Sequence, residues 1–191
     1  MLQKITLREM MVVAVFIALL TALGYVNIPL PFSPVPLTGQ TFGVMLAGML
    51  LGSRLGFITL LLFDLTGLVF PVFAGAAGGL GKLLGPTGGY ILSWPLAAAA
   101  IGFICERSSR PSWLRLFVAN IVGGVIIVYS LGVIQLSLIT GIGLIPAVVQ
   151  GALPFIPGDL IKCGVAAATG VRLRQAYPSI IAPTSQHQTH N

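Results

Sequence analysis

The chain is built of long apolar runs broken by short polar or Gly/Pro-rich stretches. No charged residue occurs between Glu9 and Arg54, between Lys82 and Glu106, or between Arg115 and Asp159. One bilayer crossing takes about 20 apolar residues, so two of these gaps are each long enough to cross twice. The runs predict helices over residues 6–26, 38–51, 55–70, 90–105 and 113–139, and a last one that begins after 141 and ends near 172. The second and third turn at Gly52-Ser53-Arg54. The last contains Pro154 and Pro157, so its first part is expected to be broken, with the helix restarting where Pro157 takes a first-turn position. The predicted fold is an all-α integral membrane protein, a bundle of six transmembrane helices.

Between the first two helices, the stretch 27–36 holds four prolines. They remove amide donors and fix φ, so this segment reads as a long loop. Residues 71–89, rich in glycine, form a second long loop. Loops of this length in a compact domain are usually lids or binding loops, although flexible connectors would look the same. The polar stretch 178–191 reads as a disordered tail, leaving 1–177 as one membrane domain.

Composition agrees with this picture. Only 7% of the 191 residues are charged and 56% are hydrophobic, which excludes an ordinary soluble enzyme. The 24 glycines and 13 prolines lie largely within apolar segments, where membrane helices tolerate them. The net charge of +6 follows from topology. With the N-terminus inside, Lys4, Arg8, Arg54, Arg107, Arg110, Arg115, Arg172 and Arg174 are all cytoplasmic, as basic residues in short loops tend to be. Lys82 alone falls in an outer loop and Lys162 falls within the membrane. Both termini are therefore expected in the cytoplasm, with the two long loops, the first and third, outside. The basic residues form no single stripe, so nucleic-acid binding is not indicated.

Two motifs mislead. A basic start, an apolar run and the small residues Ala22 and Gly24 imitate a signal peptide. Removing that segment would leave five crossings and upset the charge balance. Gly78-Gly79-Leu80-Gly81-Lys82 partly resembles a phosphate loop, but Ala76 and Leu83 occupy two of its fixed positions, so no ATPase is expected.

Ionisable residues inside a span are costly and mark functional sites. Three qualify: Asp64, Asp159 and Lys162. The last two are spaced i, i+3 on one helix face, which Ala166 and Gly170 continue with small residues. At 1.5 Å per residue, Lys162 falls near mid-membrane and Asp159 in the outer half. One reading is a fixed ion pair, Lys162 with Asp159 or Asp64. The favoured reading is a site for a small polar ligand, because the break around Pro154 and Pro157 frees backbone groups that membranes tolerate where they line a cavity. Tyr90, Trp94 and Trp113 fit either a pocket wall or interface anchors. Ala14, Ala18 and Ala22 form a small-residue ladder on the first helix, and Gly48 and Gly52 a similar step on the second; such spacings allow close helix approach. His187 and His190 lie in the tail and no nucleophile–base pair is present, so an enzyme is not expected. Cys105 and Cys163 fall at different depths, which argues against a disulfide or a metal site.

Taken together, the Pro-x-Pro loop with Gln40-Thr41-Phe42, the string Gly85-Pro-Thr-Gly-Gly-Tyr90, the string Pro157-Gly-Asp-Leu-Ile-Lys162 and the alanine ladder resemble the BioY family, biotin-specific S components of energy-coupling-factor transporters. The resemblance spans nearly the whole chain. It implies a six-helix bundle in the bacterial cytoplasmic membrane with a biotin site near the outer face, closed by outer loops. It implies docking through Ala14, Ala18 and Ala22 onto a transmembrane T component served by two ATPases, which consume the ATP, so this chain needs no cofactor. It also implies Asp159 and Lys162 as ligand contacts, with residues 87–90, including Thr87, Gly88 and Tyr90, in the pocket wall. Gln40, Phe42 and Asp64 complete the candidate set, while Asp64 and Lys82 match no family motif. Biotin's ureido ring carries N–H donors and a carbonyl acceptor that suit a carboxylate and an ammonium. Its apolar parts suit side chains such as Phe32, Phe42 and Tyr90. The alternative class is a stand-alone or proton-coupled carrier using Asp64 and Asp159.

Overall fold

The apolar runs do form helices. The structure, a computed structural model, describes residues 5–108 and 112–176; the expectations for Lys4, Arg110 and the 178–191 tail lie outside them. Helix α1 (Leu7–Gly24) opens with a capping box in which Thr6 and Glu9 satisfy each other's backbone amides. α2 spans Gln40–Gly67, α3 Leu80–Leu84, α4 Gly88–Leu92 and α5 Trp94–Glu106. α6 (Trp113–Asn120) passes through a π-helical stretch, Ile121–Ile127, into α7 (Val128–Thr140). α8 (Leu144–Gly151) and α9 (Ile156–Ala176) complete the chain, bent by 53° across their break. By length and composition four helical stretches could cross a membrane, or five with the bent α8–α9 pair. The protein is thus a multi-pass, mainly helical membrane protein.

α2 is two arms meeting at Gly52, whose φ of 80° and ψ of −176° are not helical. The chain reverses there. A Cβ at Gly56 would lie 3.5 Å from Gly48 Cα, whereas eight residues of continuous helix would separate them by about 12 Å. Glu106 Oε1 accepts from Ser53 N at 2.8 Å, supplying an acceptor for a first-turn amide of the second arm. Gly52 thus serves the turn, while Gly48 packs on Ala98 and Ile101.

The segment expected to be an irregular loop is instead an antiparallel hairpin, β1 (Asn27–Leu30) with β2 (Ser33–Thr38). Its prolines are compatible because both strands are edges, where missing donors face away from the ladder. Phe32 sits exposed at the hairpin turn, not in a pocket. The glycine-rich loop carries the short α3.

The two ends of the bundle differ. At one, Arg174 donates to Met49 O and Cys105 O at 3.0 and 3.3 Å, close to the Gly52 turn and the start of α6. At the other lie the hairpin, α3, α4 and the α8–α9 break. The core follows this division. Leu20, Phe63, Phe73, Trp94 and Leu136 pack toward the hairpin end, and Met45, Met49, Ile101, Leu116 and Cys163 toward the arginine end.

Candidate functional site

A cavity of about 600 Å³, counting its open mouth, lies at the hairpin end. β2, the first turn of α2, α3, α4, α5, α7 and the α8–α9 region all contribute to its wall. Most of the lining is apolar, including Val35, Ile91, Trp94, Val128 and Phe155. Small-molecule sites have this character, mostly apolar with a few placed polar groups.

Those polar groups begin at the helix break. After Gly151 the chain makes one irregular turn and restarts as α9, which puts Asp159 in its first turn. The helix dipole favours an anion there. Lys162, one turn on, reaches back to Asp159 Oδ1 at 2.9 Å. Its ammonium also donates to Thr38 O at 2.7 Å and Thr41 Oγ1 at 3.1 Å. All three N–H groups are therefore engaged, and the lysine joins β2 and α2 to α9. Tyr129 donates its hydroxyl to Asp159 Oδ2. The aspartate is buried, yet each oxygen keeps a further lone pair for a donor in the cavity. The ion pair foreseen as one reading does form, with Asp159 and not Asp64, and it forms in the cavity wall.

Tyr129 was not among the expected site residues. Its place depends on the π-helical stretch just before it, since each inserted residue rotates the following helix by about 100°. Gly123 and Gly124 allow that stretch to lie against Ala97 and Met45. The sequence signal is a phenol at mid-run, and a single tyrosine in a long helix is not set apart from a packing residue.

Tyr90 is buried in the wall, its hydroxyl donating to Gly151 O at 2.9 Å and its ring edge-on to Tyr129 at 6.2 Å. Trp94 is also buried and lines the cavity. Burial removes both from the interface-anchor alternative, whereas Trp113 is exposed and stacks on Phe117 at 4.9 Å. Gln40 lines the cavity while its amide nitrogen donates to Leu20 O and Val72 O, at 3.2 and 3.0 Å. It thereby ties the end of α1 to the start of the glycine-rich loop. Thr87 lines the cavity as well.

Gly88 acts one step behind the wall. A side chain at Gly88 would strike Leu83 O and Gln135, and one at Gly89 would strike Leu131 O, so the paired glycines let α4 lie against α7. Phe42 and Asp64 fall outside the lining. Phe42 is about 100° around the helix from Thr41 and packs with the arginine-end cluster. Asp64 is buried in the second arm of α2, with Oδ1 accepting no hydrogen bond among the described residues. Lys82, unassigned from sequence, lines the cavity from α3. Ala14, Ala18 and Ala22 are all exposed, on the side of α1 away from the buried Val13, Leu20 and Gly24.

Residues 1–179 match the profile of the BioY family. The chain is 37% identical over 183 residues to a biotin transporter BioY of Rhizobium etli, covering 92% of this chain and 97% of that one. It is 40% identical over 185 residues to a biotin transporter BioY of Rhodobacter capsulatus, covering 91% and 97%. Its fold superposes with a TM-score of 0.83, at 33% identity and over 90% of this chain and 95% of the other, on a crystal structure of the S-component for biotin from an ECF-type ABC transporter.

Proposed function

The chain belongs to the BioY family, and from that membership we propose that it captures biotin as the membrane-embedded S component of an energy-coupling-factor transporter. It acts as a transporter subunit and not as an enzyme. The observation that carries the site assignment is the cavity at the hairpin end, where Asp159, Lys162 and Tyr129 form one hydrogen-bonded group among apolar walls.

In this reading Asp159 accepts the N–H groups of the ureido ring. Lys162 has no N–H left to give without releasing Thr38, Thr41 or Asp159, so its part is to hold the carboxylate in place. The fused rings and the chain lie against Trp94, Ile91, Val128 and Phe155, where burial of apolar surface contributes about 25 cal/mol per Å².

Six crossings are supported by the reversal at Gly52, which makes α2 two antiparallel arms. Arg54, Arg107, Arg115, Arg172 and Arg174 gather at one end, and this supports placing that end and both termini in the cytoplasm. The cavity then opens outward. The exposed alanine face of α1 supports docking onto a transmembrane T component, with two cytoplasmic ATPases consuming the ATP.

Calorimetric titration of purified, folded protein with biotin tests the assignment: saturable 1:1 binding is expected, and its absence would remove biotin as the ligand. The proton-coupled carrier finds less support, because Asp64 lies outside the cavity wall and Asp159 is already paired with Lys162. Proteoliposomes lacking any ATPase should fail to accumulate biotin when a pH gradient is imposed.

A further inference from the structure

Charge in the cavity wall does not cancel. Of the side chains lining it, Lys82, Asp159 and Lys162 are charged. Lys162 and Asp159 neutralise each other at 2.9 Å, which leaves one positive charge on α3. We propose that Lys82 is the anion anchor of the site, pairing with the carboxylate of the bound ligand and restricting the cavity to amphiphilic monocarboxylates. This rests on the biotin reading, in which that group is the carboxylate ending the valeryl chain.

Four observations point the same way. First, none of the four Asp and Glu side chains is paired with Lys82 among the described residues. Glu9 is engaged by Thr6, Glu106 by Ser53 and Asp159 by Lys162 and Tyr129, while Asp64 is buried in α2. Secondly, Lys82 is half-buried, and that desolvation lowers its pKa. A partly dehydrated ammonium without a counter-ion is penalised, and a ligand carboxylate relieves the penalty.

Thirdly, the lysine's backbone is held in place. Gln135 Nε2 donates from α7 to Leu83 O at 2.8 Å and Gly85 O at 2.9 Å, and Gly79 N donates to Gly67 O at 2.7 Å. The lysine is therefore carried on a fixed α3, and only its side chain remains to be ordered on binding. Fourthly, the buried Trp94, also in the wall, has an indole N–H with no acceptor among the described residues. The wall thus holds unmatched donors, the complement of an anion.

The test compares biotin with biotinamide, in which a neutral carboxamide replaces the carboxylate, on purified wild-type, Lys82→Gln and Lys82→Arg proteins. Wild type should prefer biotin by about tenfold or more, the weight of a charge-assisted contact. Lys82→Gln should lose that preference while keeping its affinity for biotinamide, and Lys82→Arg should retain it. An unchanged preference in Lys82→Gln overturns the proposal, as does an equal loss of both ligands. Failure of folded wild type to bind either compound instead overturns the biotin assignment itself.

Discussion

The hydroxyl of Tyr129 donates to Asp159 Oδ2, joining the helix that follows the π-helical stretch to the helix that restarts after the proline break. Two departures from regular helix thus meet at one carboxylate. Removing the hydroxyl in Tyr129→Phe leaves the ring and its edge contact with Tyr90 in place. Hydrogen bonds to charged groups are worth about 1.5–3 kcal/mol, and this one is made within the protein, so the thermal midpoint in detergent should drop. Biotin affinity, read by calorimetry, should fall with it, because Asp159 is no longer held toward the cavity. Wild-type affinity would remove Tyr129 from the site.

Asp159→Asn and Lys162→Ala should each weaken biotin binding by about 3 kcal/mol, because each leaves a partly buried partner unpaired. The double variant Asp159→Asn/Lys162→Ala should be less than additive, since the two side chains act through one ion pair. Unchanged affinity in both single variants, accompanied by a lowered thermal midpoint, would mean that the pair only fastens α9 to β2 and α2.

Which of these features the sequence displayed follows a physical division. Gly52-Ser53-Arg54 and Pro154 to Pro157 were legible because backbone chemistry alone requires a turn or a break there. Asp159 and Lys162 were legible because charge within an apolar run is costly. The β1–β2 hairpin was not, since its prolines argue against strand and its pairing is decided by where α1 and α2 place the ends. Tyr129 and Gln135 were missed because neutral hydrogen-bonding groups carry little penalty in a span and so stand out weakly. Phe42 was misplaced by adjacency: it follows Gln40 and Thr41 in sequence, but one residue of helix turns it away from the cavity.

Gly132 offers a test of how tightly the wall is packed. A side chain there would run into the ring of Tyr90, which is pinned at its other end by Gly151 O. Gly132→Ala should therefore push Tyr90 toward the cavity or break its hydrogen bond. Overpacking of this kind costs about 1–3 kcal/mol, and here both stability and biotin affinity should drop. In Gly132→Ala/Tyr90→Leu much of the stability should return. No gain from the second substitution would show that the clash is relieved elsewhere.

At the opposite end, Glu106 should matter for folding and not for ligand. Its carboxylate accepts from Ser53 N at 2.8 Å where α2 reverses, so Glu106→Ala should lower stability by about 1 kcal/mol, as loss of a helix N-cap does. Biotin affinity, measured on the folded fraction, should stay within about twofold, a change of roughly 0.4 kcal/mol. A large loss of affinity would mean that the Gly52 turn communicates with the cavity.

The alanine face of α1 separates capture from transport. Ala14 and Ala18 are exposed, while Val13, Phe16, Ile17, Leu20 and Leu23 face the bundle, so a bulky residue at either alanine points away from the described bundle. Small-xxx-small spacing lets a second helix approach closely, and a large side chain holds it away. Ala14→Trp and Ala18→Trp should accordingly bind biotin like wild type and keep the wild-type thermal midpoint, yet fail to co-purify with the T component and fail to drive ATP-dependent uptake. If binding and stability fell together with uptake, the face would be part of this chain's own packing. If uptake and co-purification survived in both variants, the partner would dock elsewhere, and the ladder on α1 would have no role beyond contact with lipid.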